Sequence, residues 1–369
     1  MKENTMHNDL NTQMMQRALE LAKLGRFSTS PNPRVGCVIV QGKQIVGEGF
    51  HIQAGTAHAE IHALRQADTL AQGATAYVTL EPCAHFGRTP PCANALIEAG
   101  VARVVVAMLD PNPLVAGKGL KILQAAGITT ECGVLENEAR ALNRGFLSRI
   151  ERQRPFVRAK IATSLDSKTA LADGSSKWIT GEAARADVQI LRAESCAIVT
   201  GINTILADDP QLNVRHFPTL RQPIRIVLDS QFRLPENAKV VQDKQETWVL
   251  ITKENDGHLA QFPNVRVFRL PENQNKQLNL KEVLTFLAEQ QIGEILLEAG
   301  ATLVSAFLQE NLIDEMVLYQ APKLLGNTAK NAFRLPENRA ALKPENTWQT
   351  TEIIQLDNDV KWVMRWQEI

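Results

Sequence analysis

The stretch HAEIHALRQADTLAQGATAYVTLEPCAHFGRTPPCANALIEAG (58–100) decides the architecture of the first half of the chain. Residues 59–67 carry apolar side chains at helical spacing, and residues 74–80 form the short apolar run of a buried strand. Residues 93–100 return to a helical pattern, which Gly100 closes. Short strands that alternate with helices predict an α/β layered domain.

The same alternation continues on both sides of this stretch. The further predicted elements are a helix over 10–24, a hairpin over 35–40 and 45–50, a strand over 102–109 and a helix over 119–127. Residues 1–9 show no such pattern, and a frayed terminus is expected there.

The length of the chain predicts two domains, because 369 residues exceed what one hydrophobic core usually supports. The charged run RIERQRP (149–155) offers few core residues, and it is expected to separate a domain over 10–150 from one over 155–369. The second domain repeats the alternation, with apolar strands predicted over 156–162, 196–201, 224–229, 247–252, 294–300 and 314–320.

The composition excludes several classes of function. Forty Lys and Arg residues balance 40 Asp and Glu residues, and nucleic-acid binding needs a basic surface instead. No run approaches the roughly 18 apolar residues of a membrane span, and the N-terminal residues contain no apolar segment typical of a secretory signal. Five cysteines in so long a chain predict free thiols or metal ligands, as in a cytoplasmic protein.

The strongest chemical signal is one histidine and two cysteines in the order that a catalytic zinc site uses. His58, Cys83 and Cys92 provide three ligands for a tetrahedral Zn²⁺ and leave a fourth place for water. Zinc lowers the pKa of such a water towards neutrality. Glu60 follows His58 by two residues, where it is placed to take the water proton and pass it to a leaving amine.

The cysteine spacing departs from the general pattern of zinc nucleobase deaminases, H-x-E…P-C-x-x-C. Eight residues lie between Cys83 and Cys92, so a loop must bring Cys92 back to the metal. Both cysteines follow a proline and are expected at helix starts, where the helix dipole favours thiolates. His62 lies four residues after His58, but the HExxH order of zinc proteases is absent, which favours a helix-face residue.

Three stretches resemble the bifunctional deaminase/reductases of bacterial riboflavin biosynthesis: HAEIHALRQA (58–67), GATAYVTLEPCAHFGRTPPC (73–92) and VVVAMLDPNPLVAGKGL (104–120). In that family an H-x-G-[RK]-T-P-P segment fills the interval between the cysteines, and residues 85–91 match it. The unusual spacing therefore favours this family. The resemblance implies a cytidine-deaminase-like three-layer α/β domain that deaminates a phosphoribosylated diaminopyrimidinone.

The second half resembles the reductase of the same family. The motifs are SLDSKTA (164–170), SSKWIT (175–180), TILADDP (204–210), RQPIRIVLDSQ (221–231), LLEAGATL (296–303) and APKLLG (321–326). They imply a dihydrofolate-reductase-like domain that uses NADPH to reduce the opened ribose of the deaminated product to a ribityl chain. The resemblance covers roughly residues 10–330.

The resemblance also implies site residues, position by position. It assigns Glu60 as the proton shuttle and His58, Cys83 and Cys92 as the zinc ligands. The deaminase positions on the substrate side are Asn32, His51, His85, Arg88, Asp110 and Asn112. The reductase positions on the cofactor side are Ala162, Trp178, Thr204, Asp208, Ser230, Gly300, Ala301, Thr302, Leu303, Val304, Ser305 and Ala306. Those on the reductase substrate side are Ser176, Arg192, Leu212, Arg215 and Glu298.

Some of these positions also have a physical reason for the predicted role. Arg88 and Lys118 are cations suited to a substrate phosphate. Gly300 stands between an apolar strand and an apolar helix, where free N–H groups suit a dinucleotide phosphate. No GxGxxG follows a strand, which disfavours a Rossmann fold. Trp178 is either a core anchor or a cofactor contact, and Ser167 stands in a tight turn where the family often has glycine.

Two other functions stay open on the sequence alone. One is a zinc deaminase of nucleosides or tRNA with a C-terminal binding domain, which the neutral charge and the aromatic content of 5% disfavour. The other is a degenerate fold kept for partner binding, which the intact ligand set with Glu60 disfavours. The expected partner is a small phosphorylated pyrimidine, and the family resemblance implies a homo-oligomer.

Overall fold

The computed structural model describes residues 2–84, 91–113, 115–254, 257–337 and 348–366. The chain divides into two compact units, Met1–Gln153 and Arg154–Ile369. No helix within the described ranges is both long enough and apolar enough to cross a membrane.

The first unit contains one five-stranded sheet and six α-helices among its described residues. Its strands are β1 (Gly36–Gln41), β2 (Gln44–Phe50), β3 (Thr75–Val78), β4 (Arg103–Val106) and β5 (Thr129–Cys132). Its helices are α1 (Lys2–Lys23), α2 (Ala59–Ala67), α3 (Cys92–Glu98), α4 (Lys118–Ala125), α5 (Glu136–Leu142) and α6 (Arg144–Glu151), with a short 3-10 helix over Asp68–Ala71.

The order of this sheet is β2-β1-β3-β4-β5. Strand β1 is antiparallel to both of its neighbours, whereas β3, β4 and β5 are parallel to one another. The carboxyl ends of β3 and β4 therefore lie side by side at one edge, and the loops that follow them are neighbours. One of these loops contains Cys83, and the other contains Asp110 and Asn112.

Glycines in the first two strands allow helices to lie directly on the sheet. A Cβ at Gly36 would come within 1.9 Å of the Ala18 carbonyl oxygen of α1. On β2, a Cβ at Gly47 or Gly49 would come within 2.2 Å or 2.4 Å of carbonyl oxygens of α2. Both values lie far inside van der Waals contact, so only glycine permits this helix–sheet distance.

The second unit is built on a nine-stranded sheet of order β11-β10-β9-β8-β12-β6-β13-β16-β15. Its strands are β6 (Phe156–Ser164), β7 (Lys168–Ala170), β8 (Ala197–Gly201), β9 (Ile224–Leu228), β10 (Thr247–Ile251), β11 (Val265–Arg269), β12 (Glu294–Leu297), β13 (Glu315–Ala321), β14 (Lys330–Asn331), β15 (Trp348–Leu356) and β16 (Asp359–Trp366). Its helices are α7 (Glu182–Glu194), α8 (Ile202–Asp208), α9 (Lys239–Gln242), α10 (Leu280–Glu289) and α11 (Ala301–Gln309).

Seven strands of this sheet run parallel, and the β15–β16 hairpin adds an antiparallel edge. Strands β7 and β14 form a separate two-stranded sheet. Alternate residues of the central strands pack into two different apolar clusters: Ile226 joins α10 and α11, and Val227 joins α7 and α8. The sheet is therefore covered by helices on both faces, as a parallel sheet requires.

The strands predicted for both halves and the helices predicted for the first half are present, and the differences concern their ends and several further elements. Helix α1 begins at Lys2, so the prediction of a frayed terminus over 1–9 is wrong. The charged run 149–155 begins inside α6, which ends at Glu151. The sequence pattern did not predict β5 and α5, since both are short and half-exposed and carry no strong apolar period. In the second unit it did not predict β7, β11, β14, β15 and β16.

Ser167 lies in the turn between β6 and β7 with φ of +58°, in the left-handed region. Its amide donates to the Ser164 carbonyl oxygen at 3.0 Å, which closes the turn. Because a Cβ is disfavoured at this φ, we expect Ser167→Gly to raise the free energy of unfolding by about 0.5–1 kcal/mol. Ser167→Ala keeps the Cβ and should show no gain. Urea denaturation of the full chain measures both variants, and equal stabilities would contradict the turn argument.

Candidate functional site

Three potential metal ligands converge in the first unit. His58 is the N-cap residue of α2, Cys92 is the first residue of α3, and Cys83 lies in the loop after β3. Their ligand atoms all lie within 4.8 Å of one another. His58 Nδ1 is 3.3 Å from Cys92 Sγ and 3.7 Å from Cys83 Sγ. One imidazole nitrogen and two sulfurs form a donor set that suits zinc, with a fourth position left for water.

One expectation about the cysteines needs correction. Cys92 does begin a helix, but Cys83 lies in an irregular segment over 81–84 and not at a helix start. The Cys92 amide donates to Cys83 Sγ at 3.2 Å, so the first turn of α3 still supports the Cys83 sulfur. The predicted site residues His85 and Arg88 lie outside the described residues.

Hydrogen bonding fixes the ionisation of Cys83. A hydrogen bond from the Cys92 thiol, together with His58 and the Cys92 amide, lowers the pKa of Cys83 to about 4. A thiolate is the form of cysteine that binds metal. The same pairing, together with burial, raises the pKa of the Cys92 thiol.

Glu60 lies in the first turn of α2 and is 3% exposed. Burial raises the pKa of its carboxyl group to about 7. A carboxylate with a pKa near neutrality can both take up and release a proton at physiological pH, which is what a proton shuttle needs.

Asn32 and His51 meet beside the ligand cluster. The Asn32 side-chain amide donates to His51 Nε2 at 3.1 Å, and His51 Nδ1 donates to the Ala57 carbonyl oxygen at 3.1 Å. Burial lowers the pKa of His51, which keeps the ring neutral in this arrangement. The His51 and His58 ring centroids are 5.4 Å apart. His51 therefore holds the backbone immediately before the His58 ligand.

The loop after β4 contains the other predicted deaminase residues. Asp110 Oδ1 accepts the Asn112 amide at 2.8 Å, and Lys118 is the exposed first residue of α4. Sequence reasoning missed Glu81, whose buried carboxylate accepts backbone amides of this loop. The available signal was an acidic residue directly after the buried strand β3 and before Pro82-Cys83.

The second unit contains a cavity of about 1430 Å³ lined by β6, β8 and β9 and by the start of α11. Predicted cofactor-side residues on its wall are Ala162, Trp178, Thr204, Asp208, Ser230, Gly300, Ala301, Thr302, Leu303, Val304 and Ala306. Predicted substrate-side residues on its wall are Ser176, Arg192, Leu212, Arg215 and Glu298. Ser305 is absent from the wall, because its buried hydroxyl accepts the Arg334 amide at 2.7 Å.

The cofactor side of the cavity fits a phosphate group. Gly300 is the N-cap of α11, and a Cβ built there meets no atom within 4 Å. The first turn of α11 lines the cavity, and the free N–H groups at a helix start suit a dinucleotide phosphate. Trp178 is 61% exposed, with the Arg185 guanidinium 4.6 Å from its ring centroid, so the core-anchor alternative is wrong.

The substrate side is charged and largely buried. Arg192 donates to both oxygens of Glu298 at 2.6 Å and 2.9 Å. Although burial opposes it, this pairing holds the pKa of Glu298 below its ordinary value. Sequence reasoning missed Lys160, a half-buried residue of β6 on the same wall. Burial lowers the pKa of Lys160, and a lysine inside the apolar run FVRAKIA (156–162) was the available signal.

Comparison with known proteins gives one result for both units. The family model of the cytidine and deoxycytidylate deaminase zinc-binding region matches residues 8–108, and that of the RibD C-terminal domain matches residues 155–361. The chain is 48% identical over 359 residues to riboflavin biosynthesis protein RibD of Haemophilus influenzae, covering 94% of this chain and 95% of the relative. It is 52% identical over 335 residues to that of Escherichia coli, covering 87% and 90%.

Solved structures agree with these matches. Acinetobacter baumannii RibD superimposes with a TM-score of 0.91 at 50% identity, over 98% of this chain and 100% of that one. A diaminohydroxyphosphoribosylaminopyrimidine deaminase/5-amino-6-(5-phosphoribosylamino)uracil reductase from Thermotoga maritima gives a TM-score of 0.87 at 33% identity, with the same coverage. The predicted fold class, a deaminase-like α/β domain followed by a reductase domain, is confirmed.

The ligand cluster predicts the metal content of the protein. We expect about one zinc per chain in the wild type and a loss of most of that zinc in Cys92→Ala, since three protein ligands are the usual minimum for such a site. Cys132→Ala is the matched control, because Cys132 is exposed and stands outside the cluster. Metal analysis of the purified variants measures this. Full zinc in Cys92→Ala would rule out Cys92 as a ligand.

Proposed function

Because this chain belongs to the RibD family of bifunctional riboflavin biosynthesis enzymes, we propose that residues 10–150 contain its deaminase site and residues 155–369 its reductase site. The enzyme deaminates a phosphoribosylated diaminopyrimidinone and reduces the ribosyl group of the product to ribityl, using Zn²⁺ and NADPH. The convergence of His58, Cys83 and Cys92 beside the buried Glu60 is the observation that carries the deaminase assignment.

We propose that His58, Cys83 and Cys92 hold the zinc ion and that Glu60 moves the proton. Zinc supplies Lewis-acid activation of water at this place. Glu60 takes one proton from the attacking water, whose oxygen bonds to the ring carbon that carries the amino group. Glu60 then returns this proton to the leaving amino nitrogen, so that the carbon–nitrogen bond breaks, ammonia departs and the hydroxyl group stays on the carbon. The pKa of Glu60, raised to about 7 by burial, supports both halves of this transfer.

The remaining deaminase residues are proposed to bind the substrate. The neutral His51 and Asn32 lie next to the ligand cluster, and Asp110 and Asn112 share one loop at the same edge of the sheet. The proposed set on the substrate side is Asn32, His51, His85, Arg88, Asp110 and Asn112, with Lys118 as a further phosphate partner. Cations and amide donors are the groups that a phosphorylated pyrimidine needs.

In the reductase, the start of α11 is proposed to bind the phosphates of NADPH, with the other cofactor-side residues along the same wall. Ser305 belongs to this segment by sequence, but its hydroxyl supports Arg334, so a structural role is proposed for it. Arg192, Glu298 and Arg215, together with Lys160, are proposed to hold the substrate. Their charges suit the phosphate and hydroxyl groups of a ribosyl phosphate.

We also propose that the enzyme works in the cytoplasm as a homo-oligomer; the family resemblance supports this. The alternative function, a deaminase of nucleosides or tRNA with a C-terminal binding domain, is not favoured. The RibD C-terminal match spans residues 155–361, and curated relatives align over both units.

The proton-shuttle role predicts a selective defect in Glu60→Gln. We expect ammonia release to fall by about 10²–10⁴-fold, because the amide cannot accept the water proton. Zinc content and NADPH oxidation with deaminated substrate should stay unchanged. Glu98→Gln, an exposed carboxylate at the end of α3, is the matched control and should keep both activities. Deamination at the wild-type rate in Glu60→Gln would overturn the proposed shuttle.

The proposed phosphate site at the start of α11 predicts the effect of a charge at Gly300. We expect Gly300→Asp to weaken NADPH binding by at least about tenfold, since a carboxylate at this N-cap repels a phosphate. The fold should tolerate the change, because Asp is a favoured N-cap residue and space is available there. Gly300→Asn has the same shape without the charge and should lose much less affinity. Fluorescence titration with NADPH measures the affinity of each variant. Equal affinities of Gly300→Asp and Gly300→Asn would contradict the proposed phosphate site.

A further inference from the structure

Glu81 places a buried carboxylate at the edge of the deaminase sheet. It is 4% exposed and lies two residues before Cys83. The Glu81 amide donates to the Met108 carbonyl oxygen at 3.0 Å, which extends the pairing of β3 and β4. The Glu81 backbone therefore lies where the loop after β3 meets the loop after β4, and its side chain extends from this point.

Four backbone amides of the second loop donate to this carboxylate. Oε2 accepts from Asp110 at 3.1 Å and from Gly117 at 2.9 Å. Oε1 accepts from Gly119 at 2.8 Å and from Leu120 at 3.3 Å. The donors span both ends of the segment 110–120, so a single side chain fixes where this segment leaves β4 and where it enters α4. Such charge-assisted bonds are stronger than neutral ones.

The segment also lies directly against the metal-ligand loop. A Cβ at Gly119 would come within 2.0 Å of the Pro82 carbonyl oxygen, so the backbone of α4 contacts the peptide that precedes Cys83. Asp110 accepts the Asn112 amide, which ties the two predicted substrate contacts to each other. The position of both relative to Cys83 thus depends on the Glu81 carboxylate.

We propose that Glu81 is a positioning residue for deamination, which holds Asp110 and Asn112 at the distance from the zinc ligands that the pyrimidine requires. This inference rests on the proposed substrate contacts of Asp110 and Asn112. Glu81 is not one of the three clustered ligand residues, and it acts through the loop. Its removal should weaken substrate binding more than it slows the chemical step.

The substitution Glu81→Gln tests the proposal because it keeps the size of the side chain. The amide of Gln would replace one acceptor oxygen by a donor that faces two backbone N–H groups. We expect KM for the phosphoribosylated diaminopyrimidinone to rise at least tenfold, with kcat reduced about threefold or less and zinc content unchanged. Glu131→Gln is the matched control, because the Glu131 carboxylate accepts from Asn11 and Arg103 and not from the backbone of the segment 110–120. It should leave KM unchanged.

A double-mutant cycle on the full-length zinc enzyme separates positioning from general destabilisation. In an Asp110→Ala/Asn112→Ala background, Glu81→Gln should change kcat/KM by less than about twofold, since both contacts it positions are already lost. Independent, multiplicative effects would overturn the inference, as would an unchanged KM in Glu81→Gln. A wild-type enzyme without deaminase activity would instead refute the proposed function.

If Glu81→Gln fails to fold or loses zinc, Glu81→Asp provides a second test of the positioning role. It keeps the charge but shortens the side chain by one methylene, so the loop should be held less closely. We expect at least a threefold rise in KM with zinc retained. An unchanged KM in this variant would overturn the proposal.

Discussion

The deaminase site depends on how closely helix α2 lies on strand β2. Gly47 and Gly49 leave no Cβ between the helix backbone and the strand, where a Cβ would come within 2.4 Å or less of a carbonyl oxygen. Since His58 caps this helix and Glu60 lies in its first turn, the helix–sheet distance sets the depth of both side chains. Burial of Glu60 in that first turn raises the pKa of its carboxyl group. Gly47 and Gly49 thus permit the helix–sheet contact that supports both side chains.

The sequence alone predicted the features that depend on a local apolar pattern or on the chemistry of the residue types. Apolar periodicity located α2, β3 and β4, and residue type and order identified His58, Cys83 and Cys92 as a ligand set. The sequence pattern did not predict a role for Glu81 or Lys160. The groups that interact with these charged side chains lie in other segments of the chain.

The direction in which a side chain points was the other property that the sequence pattern did not predict. The run Gly300–Ala306 was assigned as a block, yet the helical turn points Ser305 away from the cavity that its neighbours line. Trp178 was ambiguous for the same reason, and only its 61% exposure on the cavity wall separates a rim residue from a core anchor. Helix α1 begins at Lys2, eight residues before Leu10, the first position of its apolar period, so periodicity alone does not predict where the helix starts.

The three proposed zinc ligands come from the cap of α2, an irregular loop and the first turn of α3. An ion bound to all three would cross-link these segments. Folding of this edge and metal uptake would then be linked equilibria, because the bound ion adds its binding free energy to the folded state. Removal of the metal would therefore lower the stability of the first unit as well as its deaminase activity.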